Sequence, residues 1–153
     1  MKNLHKKLIT LIVLSLLGLG SALVFSNTET IEAAHSGYDV VSYFTVGKAE
    51  KGSPEYSTIY KDTTYHFTSG EHQAVFVQNP VKYLPQFDGF CAYGVTFAQK
   101  IKADPTVWKI VNDKLYFNLN KDFMKDWSKD VMASISKGNE EWDLIRDVPP
   151  EEL

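Results

Sequence analysis

The chain has 153 residues, enough for one compact domain and too few for a multidomain machine. Hydrophobic residues at 44% and charged residues at 23%, with 9 Gly and 6 Pro, exclude a disordered or collagen-like chain. A net charge of −3 offers no basic field to a phosphate backbone, so nucleic acid is not an expected partner; the single cysteine excludes an intramolecular disulfide and a four-thiolate zinc site.

Lys2, His5, Lys6 and Lys7 precede the uncharged run LITLIVLSLLGLGSALVF over residues 8–25. A basic start before an apolar stretch predicts a signal peptide or a membrane anchor within residues 1–34, with everything after it carried across the membrane. Cleavage after Ala22 would place Gly20 and Ala22 at the small-residue positions, which favours a cleaved signal. The run also reaches the lower end of a membrane-spanning length, which is the anchor alternative. No cysteine follows it, so a lipoprotein anchor is excluded. The remainder is expected to be a periplasmic or otherwise extracytoplasmic domain over residues 35–146 with a flexible, proline-rich tail over 147–153. Membrane contact is expected only through residues 8–25. No internal repeat is evident.

YDVVSYF (38–44) is aromatic and β-branched and predicts a short strand or extended segment. YSTIY (56–60) and TYHF (64–67) flank Lys61, Asp62 and Thr63 and predict a hairpin with a three-residue connection, Tyr65 and Phe67 on one face, His66 on the other. Thr68 and Glu71 fit a capping box opening a helix through about Gln78, and Asn79–Pro80 starts another short helix. Asp104–Pro105 repeats that signal before a single turn at residues 106–108. Residues 109–111 and 114–119 form a second hairpin around Asn112–Asp113. Phe123, Trp127, Val131 and Ile135 recur every fourth residue and predict a longer carboxy-terminal helix that ends at Gly138, with a further turn or two over 140–145. Two short hairpins with several short helices and one longer helix describe an α+β domain.

The side chains suited to chemistry are few. Cys91 lies in FDGFCAYG (87–94), between aromatics and close to glycines. An unpaired cysteine is most often a small buried hydrophobe, yet in an oxidising compartment a free thiol is at risk unless it is buried or used. His66 on the strand and His72 in the first turn of the next helix sit at one corner, and with Cys91 they would offer two imidazoles and a thiolate to Cu or Zn. The spacing matches no known ligand motif. His35, at the entry to the domain, is the weaker candidate. No GxSxG, HExxH, phosphate loop or EF-hand is present, and the acidic pairs 122/126 and 140/141 fall among lysines on helix surfaces.

GYDVVSYF (37–44), KGSPEY (51–56), YHFTSGEHQAVFVQNPVKYLPQFDGFCAYGV (65–95) and DPTVWKIVNDKLYFNLN (104–120) together resemble the YHS-domain family, and within it the exported, stand-alone bacterial branch. The resemblance covers nearly all of the chain after the apolar run. It implies a metal-linked role, since YHS domains accompany heavy-metal-transporting ATPases and some metal-dependent oxygenases. The family's cysteine pair is replaced here by Thr68 and His72, so that site does not carry over intact. A cysteine matching Cys91 recurs in the stand-alone branch, with selenocysteine expected there in some relatives. On resemblance the expected function is capture of a soft metal such as copper by Cys91 with His72 or His66. The alternatives are a thiol-redox protein whose single Cys91 is resolved by an external thiol partner protein, and a non-catalytic interaction domain.

Overall fold

The computed structural model describes residues 32–153; the apolar run 8–25 lies outside them. The chain is α+β, with two separate two-stranded antiparallel sheets, short helices between and around them, and one long helix at the carboxy-terminal end. After a turn at Ala34–Gly37 come α1 (Ser42–Thr45), β1 (Ser53–Tyr60), β2 (Thr63–Phe67), α2 (Gly70–Gln78) and α3 (Pro80–Tyr83). After a second turn at Gln86–Gly89 come α4 (Ala92–Val95), β3 (Asp104–Val111), β4 (Lys114–Asn118), α5 (Lys121–Trp127) and α6 (Val131–Ile145).

The second list repeats the first. Both opening turns run through three consecutive left-handed residues, His35, Ser36 and Gly37 in one and Phe87, Asp88 and Gly89 in the other. Each is followed by an isolated antiparallel bridge, Tyr38 to Lys51 and Phe90 to Lys102. The hairpins have one register: Ser53 faces Phe67 as Asp104 faces Asn118, a bulge follows, and pairing resumes at Ser57–His66 and at Trp108–Phe117. Both close through two left-handed residues, Lys61–Asp62 and Asn112–Asp113, the turn that matches the twist of a tight hairpin. Ser69 and Asn120 then cap α2 and α5 by accepting the N–H three residues on, and Asn79 and Asp130 open α3 and α6. From β1 onward the two halves stand 51 positions apart, as the strand starts Ser53 and Asp104 show. The aromatic cores follow the same plan. His35, Tyr65 and Phe76 stack with centroid spacings of 6.0 and 5.0 Å; Phe87, Tyr116 and Trp127 do so at 5.9 and 5.2 Å.

The repeats pack in tandem. The inner face of each hairpin is covered by its own repeat's helix and opening segment, Tyr65 and Phe67 by Phe76 and Val41, Tyr116 by Trp127 and Phe87. The outer face of the second hairpin, Trp108, Ile110, Leu115 and Phe117, is covered by Tyr38, Tyr43 and Phe44 of the first repeat. The Tyr43 hydroxyl donates to the Pro105 carbonyl at 2.9 Å across that seam. Burial pushes this phenol well above its ordinary range. The outer face of the first hairpin carries Ser57, Ile59, Thr64 and His66 in the equivalent places, and Ile59 is 72% exposed.

Five sequence expectations are corrected. Residues 38–44 are not a strand: Asp39 turns the chain by accepting the Val41 N–H at 2.8 Å, so Val40 and Val41 enter one core while Tyr43 enters another. The first hairpin connection has two residues, not three. The cap of α2 is Ser69, one residue later than expected, because Thr68 bonds to Asp39 instead. Asp104–Pro105 begins a strand, not a helical turn; the Asp104 carboxylate takes the Thr106 N–H and O–H and makes the bulge. Gly138 does not end the last helix. It lies inside α6, where a methyl group would meet the Phe87 ring at 2.9 Å, so the glycine is there to let the ring in.

Gly89 combines a left-handed φ of 81° with a site where a methyl group would lie 2.4 Å from the His35 ring. Gly89→Ala is expected to destabilise the fold by about 3 kcal/mol, from backbone strain and overpacking together, measured by denaturant unfolding against wild type.

Candidate functional site

The repeat supplies an internal control for every candidate side chain, because each has a partner in the other half. Cys91 is the partner of Asp39. The backbone N–H groups of both bridge to the same loop position, Asp39 to the Glu50 carbonyl and Cys91 to the Ile101 carbonyl, each at 2.9 Å. Both side chains are 0% exposed. Both accept the N–H of the residue after the second strand, Asp39 from Thr68 at 2.9 Å and Cys91 Sγ from Leu119 at 3.2 Å. The thiol also accepts the Gly94 N–H at 3.4 Å and donates to Asn118 Oδ1 at 3.5 Å; that oxygen is identified by the Tyr93 N–H it takes at 3.1 Å. Cys91 is therefore enclosed, with its lone pairs and proton directed at fixed partners.

Asp39 carries more. Besides the Val41 and Thr68 N–H groups it accepts the Thr68 hydroxyl at 2.9 Å and His72 Nδ1 at 2.6 Å, a full set of partners for a buried carboxylate. The other edge of His72 reaches the Thr45 hydroxyl, Nε2 to Oγ1 3.1 Å. His66 lies on the outer face of the first hairpin, opposite Ser57. Thus the structure places His72 and His66 in the first repeat, and Cys91 in the second on a different set of partners. Among the described residues no group of three or more His, Cys, Asp or Glu side chains gathers to hold a metal ion.

The sequence undervalued His35. Its ring is wedged between Tyr65 and Phe117, centroids at 6.0 and 5.5 Å, and forms a wall shared by two chambers. The larger, about 490 Å³, is lined by Tyr60, Lys61, Tyr65, Leu84 and Asp88; the smaller, about 240 Å³, by Asp88, Phe90, Lys102 and Phe117. His35 Nε2 is buried with no hydrogen-bond partner, a condition shared among the described residues with Ser42 Oγ and Trp127 Nε1. Loss of hydration lowers the His35 pKa from 6.5 to about 4.

All three described histidines have phenylalanine as their counterpart: Phe87 for His35, Phe117 for His66, Phe123 for His72. Phe117 is buried in the seam while His66 lies on the outer face of the first hairpin, but at the other two places the fold accepts a phenyl ring, so His35 and His72 are not there because the architecture requires an imidazole. The sequence signal that reveals the repeat is sparse: Pro54, Asp62 and Tyr65 recur with identical spacing as Pro105, Asp113 and Tyr116, inside segments that otherwise differ. Comparison with protein-family models, with curated proteins and with solved structures finds no match.

Two outcomes follow. Cys91 should resist thiol reagents in the folded chain and react fully after denaturation, and Cys91→Ala should cost about 1–3 kcal/mol by leaving the Gly94 and Leu119 N–H groups without an acceptor. For His35, the folded pKa lies below the unfolded one, so the native state binds this proton more weakly. Stability from this group is full above pH 6.5 and falls by about 3 kcal/mol as pH drops towards 4. In His35→Phe that contribution is absent, so the stability difference between variant and wild type should widen in the variant's favour across the same window, read by unfolding at each pH.

Proposed function

We propose that this chain is an exported, YHS-type binding domain in which the first repeat receives the ligand and the second is the scaffold against which it is held. The observation that carries this reading is His35: an imidazole at a position that accepts phenyl in the other repeat, desolvated, and standing between two chambers. A concave site that combines aromatic walls with a few polar and charged groups is the ordinary form of a small-molecule site. Tyr60, Tyr65 and Leu84 supply apolar lining of the larger chamber, and His35, Lys61, Thr63 and Asp88 polar lining. The ligand class that fits is a small aromatic molecule with a polar edge.

Soft-metal capture through Cys91, His72 and His66 draws donors from both repeats, and thiol-redox chemistry needs a sulfur that a partner protein reaches. The enclosure of Cys91 and the engagement of His72 by Asp39 support a reading that uses neither.

The test is a panel of small aromatic fragments titrated into the full chain and followed by NMR on the His35 and Tyr65 rings. Saturable shifts centred on these two residues, lost or moved in His35→Phe, are expected. Fragments that bind only elsewhere, or copper that protects Cys91 from alkylation in the folded protein, would overturn the reading.

A further inference from the structure

A second constellation in the first repeat does not belong to the cleft. Asp39 Oδ2, His72 Nδ1, His72 Nε2 and Thr45 Oγ1 form a continuous hydrogen-bonded chain with links of 2.6 and 3.1 Å. Asp39 is fully buried and held by the Val41 and Thr68 N–H groups and the Thr68 hydroxyl, so its position is fixed from three sides. Its short contact with His72 Nδ1 favours the tautomer protonated there, and in that neutral form Nε2 is the acceptor facing the hydroxyl. Thr45 is exposed at the end of α1, and its hydroxyl proton has two acceptors at the same 3.1 Å, Nε2 and the Val41 carbonyl. A hydroxyl within reach of an imidazole that a buried carboxylate orients is the arrangement of an activated nucleophile, recognised by geometry and not by order in the chain.

The other repeat shows that the fold does not demand this arrangement. At the matching places stand Cys91, Phe123 and, six residues beyond Cys91 as Thr45 is six beyond Asp39, Phe97. There the tie to the end of the second strand is made by a thiol, and Tyr93 packs edge-on against both Phe97 and Phe123, centroids at 5.1 and 5.5 Å. A cysteine and aromatic packing do the architectural work that the polar chain would otherwise be credited with.

We infer that Thr45 is a nucleophile, with His72 its general base and Asp39 the residue that positions His72, acting on activated esters presented at the surface. Thr45 Oγ adds to the acyl carbon and its proton passes to His72 Nε2. The bond to the leaving oxygen then breaks with its electron pair, and Nε2 returns the proton to that oxygen. Water repeats the sequence on the acyl-threonine, giving the carboxylic acid and the free hydroxyl. Thr45 lies at the surface and not at a cavity floor, so the first half, acylation of Thr45, is the step to look for.

The probe is p-nitrophenyl acetate on the full chain, read as release of nitrophenol and as peptide mass mapping of the acetyl group. One acetyl on Thr45 is expected, retained in Thr45→Ser and absent in Thr45→Val. In His72→Phe, which installs the ring the other repeat carries at this place, acetylation at position 45 should slow by about a hundredfold, the scale of a lost general base. Circular dichroism reports whether that variant is folded, and the surface substitutions at Thr45 test the site independently of it. Acetylation confined to lysines, or acetylation of Thr45 at the wild-type rate in folded His72→Phe, would overturn the inference. Because it involves neither His35 nor the cleft, it stands or falls separately from the binding reading.

Discussion

In each repeat a single buried acceptor fixes where the opening segment meets the hairpin. The second strand ends, the next N–H has no ladder partner, and that donor must be satisfied away from water or cost the fold about 1–3 kcal/mol. Asp39 meets the Thr68 N–H and Cys91 meets the Leu119 N–H. The same side chains accept an N–H from the helical turn that follows them, so one atom group pins turn, strand end and helix start together. A carboxylate and a thiol share little chemistry beyond compactness and the capacity to accept. That this position tolerates both explains why Cys91 can be a structural residue in a chain with no second cysteine, its thiol enclosed and its partners fixed.

The tandem stacking accounts for the difference in character between the halves. Repeat architectures bury a continuous core by covering one unit's open face with the next, and the terminal face has to be polar. Here the second hairpin's outer face takes Tyr43 and its neighbours and is built from Trp108, Ile110, Leu115 and Phe117. Among the described residues no repeat covers the first hairpin's outer face, and the same register positions carry Ser57, Thr64 and His66, with Ile59 alone kept apolar. His66 is thus a solvent-side residue for an architectural reason. His35 and His72 have no such reason: one sits inside an aromatic stack and the other on a buried carboxylate, where the second repeat is content with phenyl rings.

Local order was legible in the sequence where a short-range rule decides it. The two hairpins, the Asn79–Pro80 helix start and the alternation that buries Tyr65 and Phe67 rest on turn chemistry, proline geometry and strand period. Errors arose where a side chain took a long-range partner that outweighed its local role. Thr68 is a good N-cap by type but its hydroxyl serves Asp39, twenty-nine positions earlier, leaving the cap to Ser69. Asp104 reads as a helix start until its carboxylate is seen closing a bulge on Thr106. Gly138 reads as a helix end because glycine usually is one; the Phe87 ring that fills the space over it comes from fifty-one positions away. The candidate site suffered from the same cause. His66 and His72 are near in sequence and Cys91 is not far, but chain proximity says nothing about which repeat a residue belongs to, and the repeat itself leaves little more than Lys51, Pro54, Asp62 and Tyr65 as an aligned trace.

The carboxy-terminal helix is where the second repeat departs furthest from the first. α3 is a single turn, whereas its counterpart α6 runs to Ile145. The added length lays Trp142 against Phe87 and Phe90, centroids at 5.8 and 6.2 Å, and Lys100 lies over Phe90 and Trp142 while donating to the carbonyls of Arg146 and Val148 at 2.7 Å. That lysine satisfies carbonyls a helix end otherwise leaves to solvent. Phe87 is therefore clamped from both sides, by Tyr116 and by Trp142, while among the described residues no such helix reaches its counterpart His35, which borders the chambers instead. Among the described residues one duplicated plan is closed over in the half that carries phenyl and not in the half that carries imidazole, and the proposed binding site rests on this asymmetry more than on any single residue.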